Sequence, residues 1–170
     1  MKILVFSDSH GRYANMQKAV CMHPDASVLL HLGDGIADVC KLSRVPDRIH
    51  LVKGNLEEYT FNSQKSPLQD LIDIEGKKIY MCHGHRAGVN FSMQNLLYKA
   101  MENNADIALF GHTHQKYENY IPSSDTDAKS KGIYLFNPGS ISRPRDSIFS
   151  SFGIIEIKNN CILMSHGIVK

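Results

Sequence analysis

Seven side chains of metal-binding type stand at the ends of five short apolar runs: Asp8 and His10, Asp34, Asn55, His83, and His112 with His114. A short apolar run reads as a buried strand, and the strands of an open α/β sheet deliver their ligands to one edge. Carboxylates, imidazoles and an amide carried there by separate strands converge, which is the equipment of a two-metal hydrolase. In Asp8-Ser9-His10 the ligands are one residue apart, so an extended backbone would point both the same way and let them chelate one ion. His112-Thr113-His114 repeats that spacing, with Gly111 allowing close backbone approach. Asp34 has two acceptor oxygens and so can bridge two cations; the Asn55 amide oxygen is a neutral ligand for a hard ion. Singly, each has an ordinary explanation, because Asp and Ser cap helices and Gly, Asp and Asn dominate turns. Those local reasons do not produce all seven together. His23, His50 and His166 lack a comparable setting, and His31 reads as packed in its strand.

The elements that must position these groups follow from periodicity. Apolar runs alternate with amphipathic stretches from the start of the chain, as in βα units feeding a largely parallel sheet. Residues 2–6 form the first expected strand, and Tyr13, Met16 and Val20 recur at helical spacing over 12–22. Residues 27–32 and 49–53 are further strands, separated by a short helix marked by Ile36, Val39 and Cys40 that ends before Pro46. Leu68, Leu71, Ile72 and Ile74, then Glu75-Gly76 and residues 79–82, suggest two strands around a turn. Asn90 is placed to cap a helix reaching Asn104, with Met93, Leu97, Ala100 and Met101 on one face. Strands follow at 107–110 and 116–121, and the polar segment 122–131 has the composition of an exposed loop. Further strands at 133–136, 152–157 and 161–169 have no long helix between them, and Asn159-Asn160 suits the last hairpin turn. A βα half followed by a strand-rich half implies two packed sheets with helices outside, an α/β sandwich forming a single domain over 1–170.

Composition agrees. A chain of 170 residues can bury roughly two-thirds of its unfolded surface in one core. Hydrophobic content of 42% with 21% charge excludes disorder, collagen and coiled coil. A net charge of +2 carries no specific nucleic-acid footprint and no membrane signal. Cys21, Cys40, Cys82 and Cys161 lie far apart, as reduced thiols do in a cytoplasmic protein, and burial is the default for each. Neither a secretory segment nor a run of membrane-spanning length is seen, so a cytoplasmic location is expected.

Asp8-x-His10, Gly33-Asp34, Gly54-Asn55, His83-Gly84-His85 and Gly111-His112-x-His114, in this order and spacing, resemble the calcineurin-like metallophosphoesterase superfamily. The short length and Asn137-Pro138-Gly139-Ser140 resemble its small bacterial and archaeal phosphodiesterase branch, over about residues 1–157. The resemblance implies a four-layer αββα sandwich of two mixed β-sheets flanked by helices. It also implies two divalent metal ions, with manganese expected and iron, zinc or nickel as alternatives. Carried over by motif, Asp8, His10, Asp34 and His114 hold the first ion; Asp34 bridges; Asn55, His83 and His112 hold the second. The implied activity is hydrolysis of a small phosphate ester, a diester by preference, through in-line attack of a hydroxide bridging the metals. Asp34, Asn55 and His112 then stand at the catalytic centre.

One departure matters. Many members of the superfamily place a histidine directly after the Gly-Asn pair to contact phosphate and protonate the leaving group, and here that position is Leu56. Either the leaving group is already activated, or His85 or another donor takes the role. Glu57 matches the acidic position that follows and either orients His10 through its second ring nitrogen or is a surface carboxylate. Arg12 and Arg86 stand where a guanidinium either pairs bidentately with phosphate or is an ordinary surface charge, and Arg143 and Arg145 either line the cleft or cover the surface. The 137–140 turn reads as architecture. Rival expectations are a phosphomonoesterase and a catalytically silent interaction scaffold of the same fold, like the eukaryotic retromer subunit. A complete ligand set argues against the scaffold; Leu56 leans towards it. Assembly into a homo-oligomer is left open.

Overall fold

The computed structural model describes residues 1–58, 66–123 and 131–170. In chain order the elements are β1 (Lys2–Phe6), α1 (Tyr13–Met22), β2 (Val28–His31), α2 (Ile36–Val39), β3 (Arg48–Leu51), β4 (Gln69–Ile74), β5 (Lys77–Cys82), α3 (Gln94–Glu102), β6 (Ile107–Leu109), β7 (Lys116–Ile121), β8 (Ile133–Pro138), β9 (Ser150–Lys158) and β10 (Cys161–Val169). They form two five-stranded sheets, ordered β10-β9-β1-β2-β3 and β4-β5-β6-β8-β7. β1 is parallel to β2, and β2 to β3; in the second sheet β5, β6 and β8 are parallel. The outer pairings with β9, β4 and β7 are antiparallel, so both sheets are mixed.

Alternation along each strand builds the layers. Ile3 and Val5 of β1 and Val28 and Leu30 of β2 pack with Ile79, Met81, Ile107 and Leu109 of the facing sheet. The other faces of β1 and β2, through Leu4, Phe6 and Leu29, receive Met16, Ala19 and Val20 of α1. Tyr80, Cys82 and Ala108 turn away from the central core to meet Leu96 and Ala100 of α3. Strands covered on both faces read as continuous apolar runs, which is why the sequence shows them so clearly. The result is the expected αββα sandwich, with helix layers outside two packed sheets.

Every candidate metal ligand follows a parallel strand. Asp8 lies beyond β1, Asp34 beyond β2, Asn55 beyond β3, His83 beyond β5 and His112 beyond β6. Because β1, β2 and β3 run the same way in one sheet, and β5, β6 and β8 in the other, their carboxyl ends gather at common edges. Asn137, near the end of β8, joins that group.

Several expectations are corrected. Helix α3 begins at Gln94, not at Asn90. The N–H groups of Phe91 and Ser92 are already committed to the Gly88 carbonyl in a turn around the left-handed Gly88, so the helix cannot start there. Met101, expected on the packed face, is 52% exposed. Cys21, Cys40 and Cys161 are exposed and only Cys82 is buried; all four are unbridged. The expected loop at 122–131 lies mostly outside the described residues. The Asn159-Asn160 hairpin is as expected, with φ of 50° and 64° at its two central residues. No helix among the described residues is long and apolar enough to cross a membrane.

The turns after β2 and β3 touch backbone to backbone. A Cβ on Gly54 would fall 2.1 Å from Asp34 Oδ1 and 2.5 Å from the Asp34 nitrogen. Gly54→Ala is therefore expected to destabilise the fold by roughly 2–3 kcal/mol, as overpacking does. Thermal unfolding followed by circular dichroism should show a drop of about 5–10 °C, and an unchanged midpoint would contradict the close packing.

Candidate metal centre

The ligand loops do not use extended backbone. Asp8, His10, Asp34, His112 and His114 have φ of 57°, 45°, 55°, 68° and 59°, the left-handed region that side chains other than glycine seldom adopt. This corrects the extended geometry expected for Asp8-x-His10: both residues lie past the end of β1, where no neighbouring strand holds them straight. Each such residue costs about 1 kcal/mol or more, and clusters of them belong to functional sites.

What holds these turns is hydrogen bonding between loops. The Asp8 and His10 N–H groups donate to the Gly33 and Asp34 carbonyls, both at 3.0 Å, and the Gly111 N–H donates to the His83 carbonyl at 2.9 Å. The Asp8 carbonyl accepts the hydroxyls of Ser140 and Ser142 at 2.9 and 2.8 Å. Asn137 donates its side-chain N–H2 to the Gly111 carbonyl at 3.0 Å and to Thr113 Oγ1 at 3.1 Å. The 137–140 turn is thus the architecture that pins the first and last ligand loops together.

Asp8 is fully buried. Its Oδ2 accepts the Ser7 hydroxyl at 2.6 Å and the His112 main-chain N–H at 3.1 Å. Its Oδ1 has no hydrogen-bond partner. Around Oδ1 stand three imidazole nitrogens: Nε2 of His114 at 3.2 Å, of His83 at 3.8 Å and of His10 at 3.9 Å. The tautomers follow from the far side of two rings. His83 Nδ1 is 2.7 Å from the Leu32 carbonyl and His114 Nδ1 is 2.8 Å from the Arg143 carbonyl. A carbonyl only accepts, so both Nδ1 atoms carry a proton, and in the neutral rings both Nε2 lone pairs face inward, the arrangement that prepares histidines for a metal.

The remaining donors complete the cluster. Asp34 Oδ2 is 3.6 Å and Asn55 Oδ1 is 3.1 Å from His83 Nε2. Asp34 Oδ1 accepts the Leu56 N–H at 2.9 Å, so Oδ2 is the atom turned to the cluster. His10 and His114 bring their Nε2 atoms within 3.2 Å of each other. The His112 ring is 5.2 Å from that of His83, centroid to centroid. Two overlapping triads, Asp8-His10-His114 and Asp8-Asp34-His83, have donor atoms all within 4.8 Å of one another. Asp8 is common to both triads, and Asp34 joins the second beside His83.

The titrating groups balance one another. Burial pushes the Asp8 carboxyl up, but the contacts with His114, His83 and Ser7 outweigh it and hold the group below the ordinary carboxylate value. Burial pulls His83 down, and the Asp34 and Asp8 carboxylates more than restore it. The Asp8 carboxylate beside it raises His114 against the opposing effect of burial. Burial lowers His10 and His112. An orphaned buried carboxylate oxygen among inward-facing nitrogen lone pairs is a donor set that fits divalent cations, with protons as the competing ligand. Cys82 contributes no thiolate, because burial pushes its thiol up to about 12.

Other expected residues fall differently. Glu57 gathers four main-chain N–H groups instead of reaching for His10: Asp34 and Gly54 donate to Oε2, each at 2.8 Å, and Gly35 and Ile36 donate to Oε1. It ties the turn after β2 to the turn after β3. His85 Nε2 lies 2.8 Å from Glu58 Oε2, with its ring 5.4 Å from His83 and 6.1 Å from His112. Arg86 pairs with the same Glu58 carboxylate. Arg12 is exposed at the cap of α1. Arg143 serves the cluster through its carbonyl, and the Arg145 N–H donates to the His114 carbonyl at 2.9 Å.

Sequence reasoning missed a buried layer behind the ligands. Ser9, between Asp8 and His10, donates its hydroxyl to Asp38 Oδ2 at 2.8 Å and lies 3.3 Å from His31 Nε2. Asp38 also accepts the Gly11 N–H at 2.7 Å and Lys41 at 2.9 Å. The Gly33 N–H donates to His31 Nδ1 at 3.2 Å, so the proton of this imidazole sits on Nε2. The only local signal was an Asp four residues after Asp34 in a short helix.

A buried donor cluster at the carboxyl edges of two packed mixed sheets defines an α/β sandwich with a candidate metal site. The chain belongs to the calcineurin-like phosphoesterase superfamily, whose domain model matches residues 1–160. It is 30% identical over 161 residues to the probable metallophosphoesterase YsnB of Bacillus subtilis, covering 94% of this chain and 86% of that one. It is 25% identical over 178 residues to the phosphodiesterase YfcE of Escherichia coli, covering 92% and 88%. Among solved structures it resembles wild-type Vps29 of Entamoeba histolytica in complex with Zn²⁺, with a TM-score of 0.69 and 20% identity over 99% of both chains. That last likeness is one of fold alone.

Two outcomes follow. Glu57→Ala leaves four turn N–H groups without their acceptor and should lower the thermal midpoint by about 4 °C or more, since an abandoned buried donor costs about 1–3 kcal/mol. His31 is fully buried and its pKa is lowered to about 4. The unfolded chain therefore binds more protons as pH falls, and the stability His31 contributes is present above its unfolded value and lost on the way down to about 4. Denaturant unfolding of His31→Gln should lose about 2 kcal/mol less than wild type between about pH 7 and about pH 5. Parallel profiles would show that His31 is not held neutral.

Proposed function

We propose that the protein is a metal-dependent phosphodiesterase acting on a small phosphate ester. The observation that carries this reading is Asp8 Oδ1, a buried carboxylate oxygen without a hydrogen-bond partner, ringed by the Nε2 atoms of His10, His83 and His114. Membership of the phosphoesterase superfamily and the names of the YsnB and YfcE relatives support it.

In this reading Asp8, His10, Asp34 and His114 would hold one divalent ion, and Asp34, Asn55, His83 and His112 would hold the other. Bound there, two such ions would supply a water of lowered pKa and neutralise phosphate charge, the chemistry that hydrolysis of a phosphate ester needs. The chain's own part is positional. Leu32 and Arg143 carbonyls fix two imidazoles with their lone pairs inward, and Glu57 fixes the turn that carries Asp34. Nitrogen and oxygen donors without thiolate favour manganese or iron. The Leu56 side chain is 55% exposed and brings no proton donor; His85, held by Glu58, is the neighbouring imidazole that can contact the leaving oxygen.

Metal-stripped protein should be inactive on bis(p-nitrophenyl) phosphate and regain turnover when Mn²⁺ is added; hydrolysis indifferent to metal would refute the reading. Asp8→Asn should weaken Mn²⁺ binding in calorimetry by about tenfold or more, because it removes the charge that the cation compensates.

A further inference from the structure

Beside the imidazole cluster, on the α3 side of the second sheet, lies a cavity of about 280 Å³. His83 and His85 line one part of it, so a group held there is continuous with the candidate metal centre. Leu68, Ala87 and the rings of Tyr80 and Tyr98 give it carbon surface, and Gln69 and Asn95 give it amides.

The amides are set in complementary senses. The Tyr80 hydroxyl donates to Gln69 Oε1 at 2.7 Å, which leaves the Gln69 N–H2 as a donor. Asn95 turns its own N–H2 to the Ala87 carbonyl at 3.4 Å, which leaves Oδ1 as an acceptor. The bordering cations are compensated: Lys99 pairs with Glu102 at 2.9 Å, and Arg86 pairs with Glu58. A lining of carbon faces, one neutral donor and one neutral acceptor suits an uncharged heteroaromatic ring better than a second phosphate, which would call for unpaired cations. The volume sits at the low end for small-molecule sites and admits one ring system, not a dinucleotide. Tyr98 is 65% exposed, so a face of its ring is open for stacking.

We propose that this cavity holds the nucleobase of a nucleoside phosphodiester, stacked on Tyr98 and read by Gln69 and Asn95, while its phosphate lies at the imidazole cluster. This rests on the phosphodiesterase reading and adds the class of substrate. Two substrates isolate the arm: thymidine 5′-(p-nitrophenyl phosphate) and methyl p-nitrophenyl phosphate share leaving group and charge and differ only in the other ester. With the Mn²⁺-loaded full chain, kcat/KM should favour the thymidine ester by about fivefold or more, the lower range for stacking a base on an aromatic ring. The ratio should fall towards one in Tyr98→Ala and in Gln69→Ala. Because it is taken within each variant, losses common to both substrates cancel. Equal kcat/KM in wild type, or a preference that survives both substitutions, would overturn the proposal. Should neither ester be cleaved, the phosphodiesterase reading fails and the cavity is still decided by calorimetry with thymidine 5′-monophosphate and methyl phosphate. A Tyr98-dependent preference for the nucleotide would support the proposal, and no preference would overturn it.

Discussion

A carboxylate without access to water must be compensated, and the neighbourhood of Asp8 is arranged around that requirement. An isolated buried charge costs several kcal/mol even after relaxation, a large part of the net stability of a domain. One oxygen is satisfied by Ser7 and the His112 main chain, while the other is left to three imidazoles. The Asp8 carbonyl is fixed by two serines from beyond β8. One residue after β1 thus ties the first sheet to the loops after β6 and β8 of the second.

The left-handed turns explain how so many donors fit into so small a space. Five candidate ligand residues in that conformation store a few kcal/mol of strain, which the hydrogen bonds between the loops must offset. Glu57 is a main contributor, because a single carboxylate receives N–H groups from the turns after both β2 and β3. Gly33 and Gly54 permit the contact between those turns, since a Cβ on Gly33 would lie 2.3 Å from the Gly54 nitrogen. The donors are therefore set in position by the fold itself.

Fold and function separate clearly in this case. The likeness to Vps29 extends over nearly the whole chain, yet it bears on architecture only, and activity has to be argued from the side chains of this chain. Those side chains include the full set of seven donors, two of them with tautomers fixed by main-chain carbonyls. Leu56, the one departure from the motif, leaves its backbone in use: its N–H holds Asp34 Oδ1, and its side chain is turned to solvent.

Strands were legible because a strand covered on both faces leaves an uninterrupted apolar run, as in Ile3 to Phe6, and the donors were legible because each follows such a run. The start of α3 was not, since Asn90 has the chemistry of a cap and only the turn closed on Gly88 shows that its neighbours are already committed. Nor was the contact of Ser9 with His31 and Asp38, which join across 22 and 29 residues, or the capture of four amides by Glu57. The amino-acid order by itself determined which donors exist and that they would share an edge, because periodicity is local and is written along the chain. Only the tertiary structure decided which atoms face one another, which turns are left-handed and which carboxylate oxygen is left without a partner, because those depend on hydrogen bonds between segments whose separation carries no periodic trace.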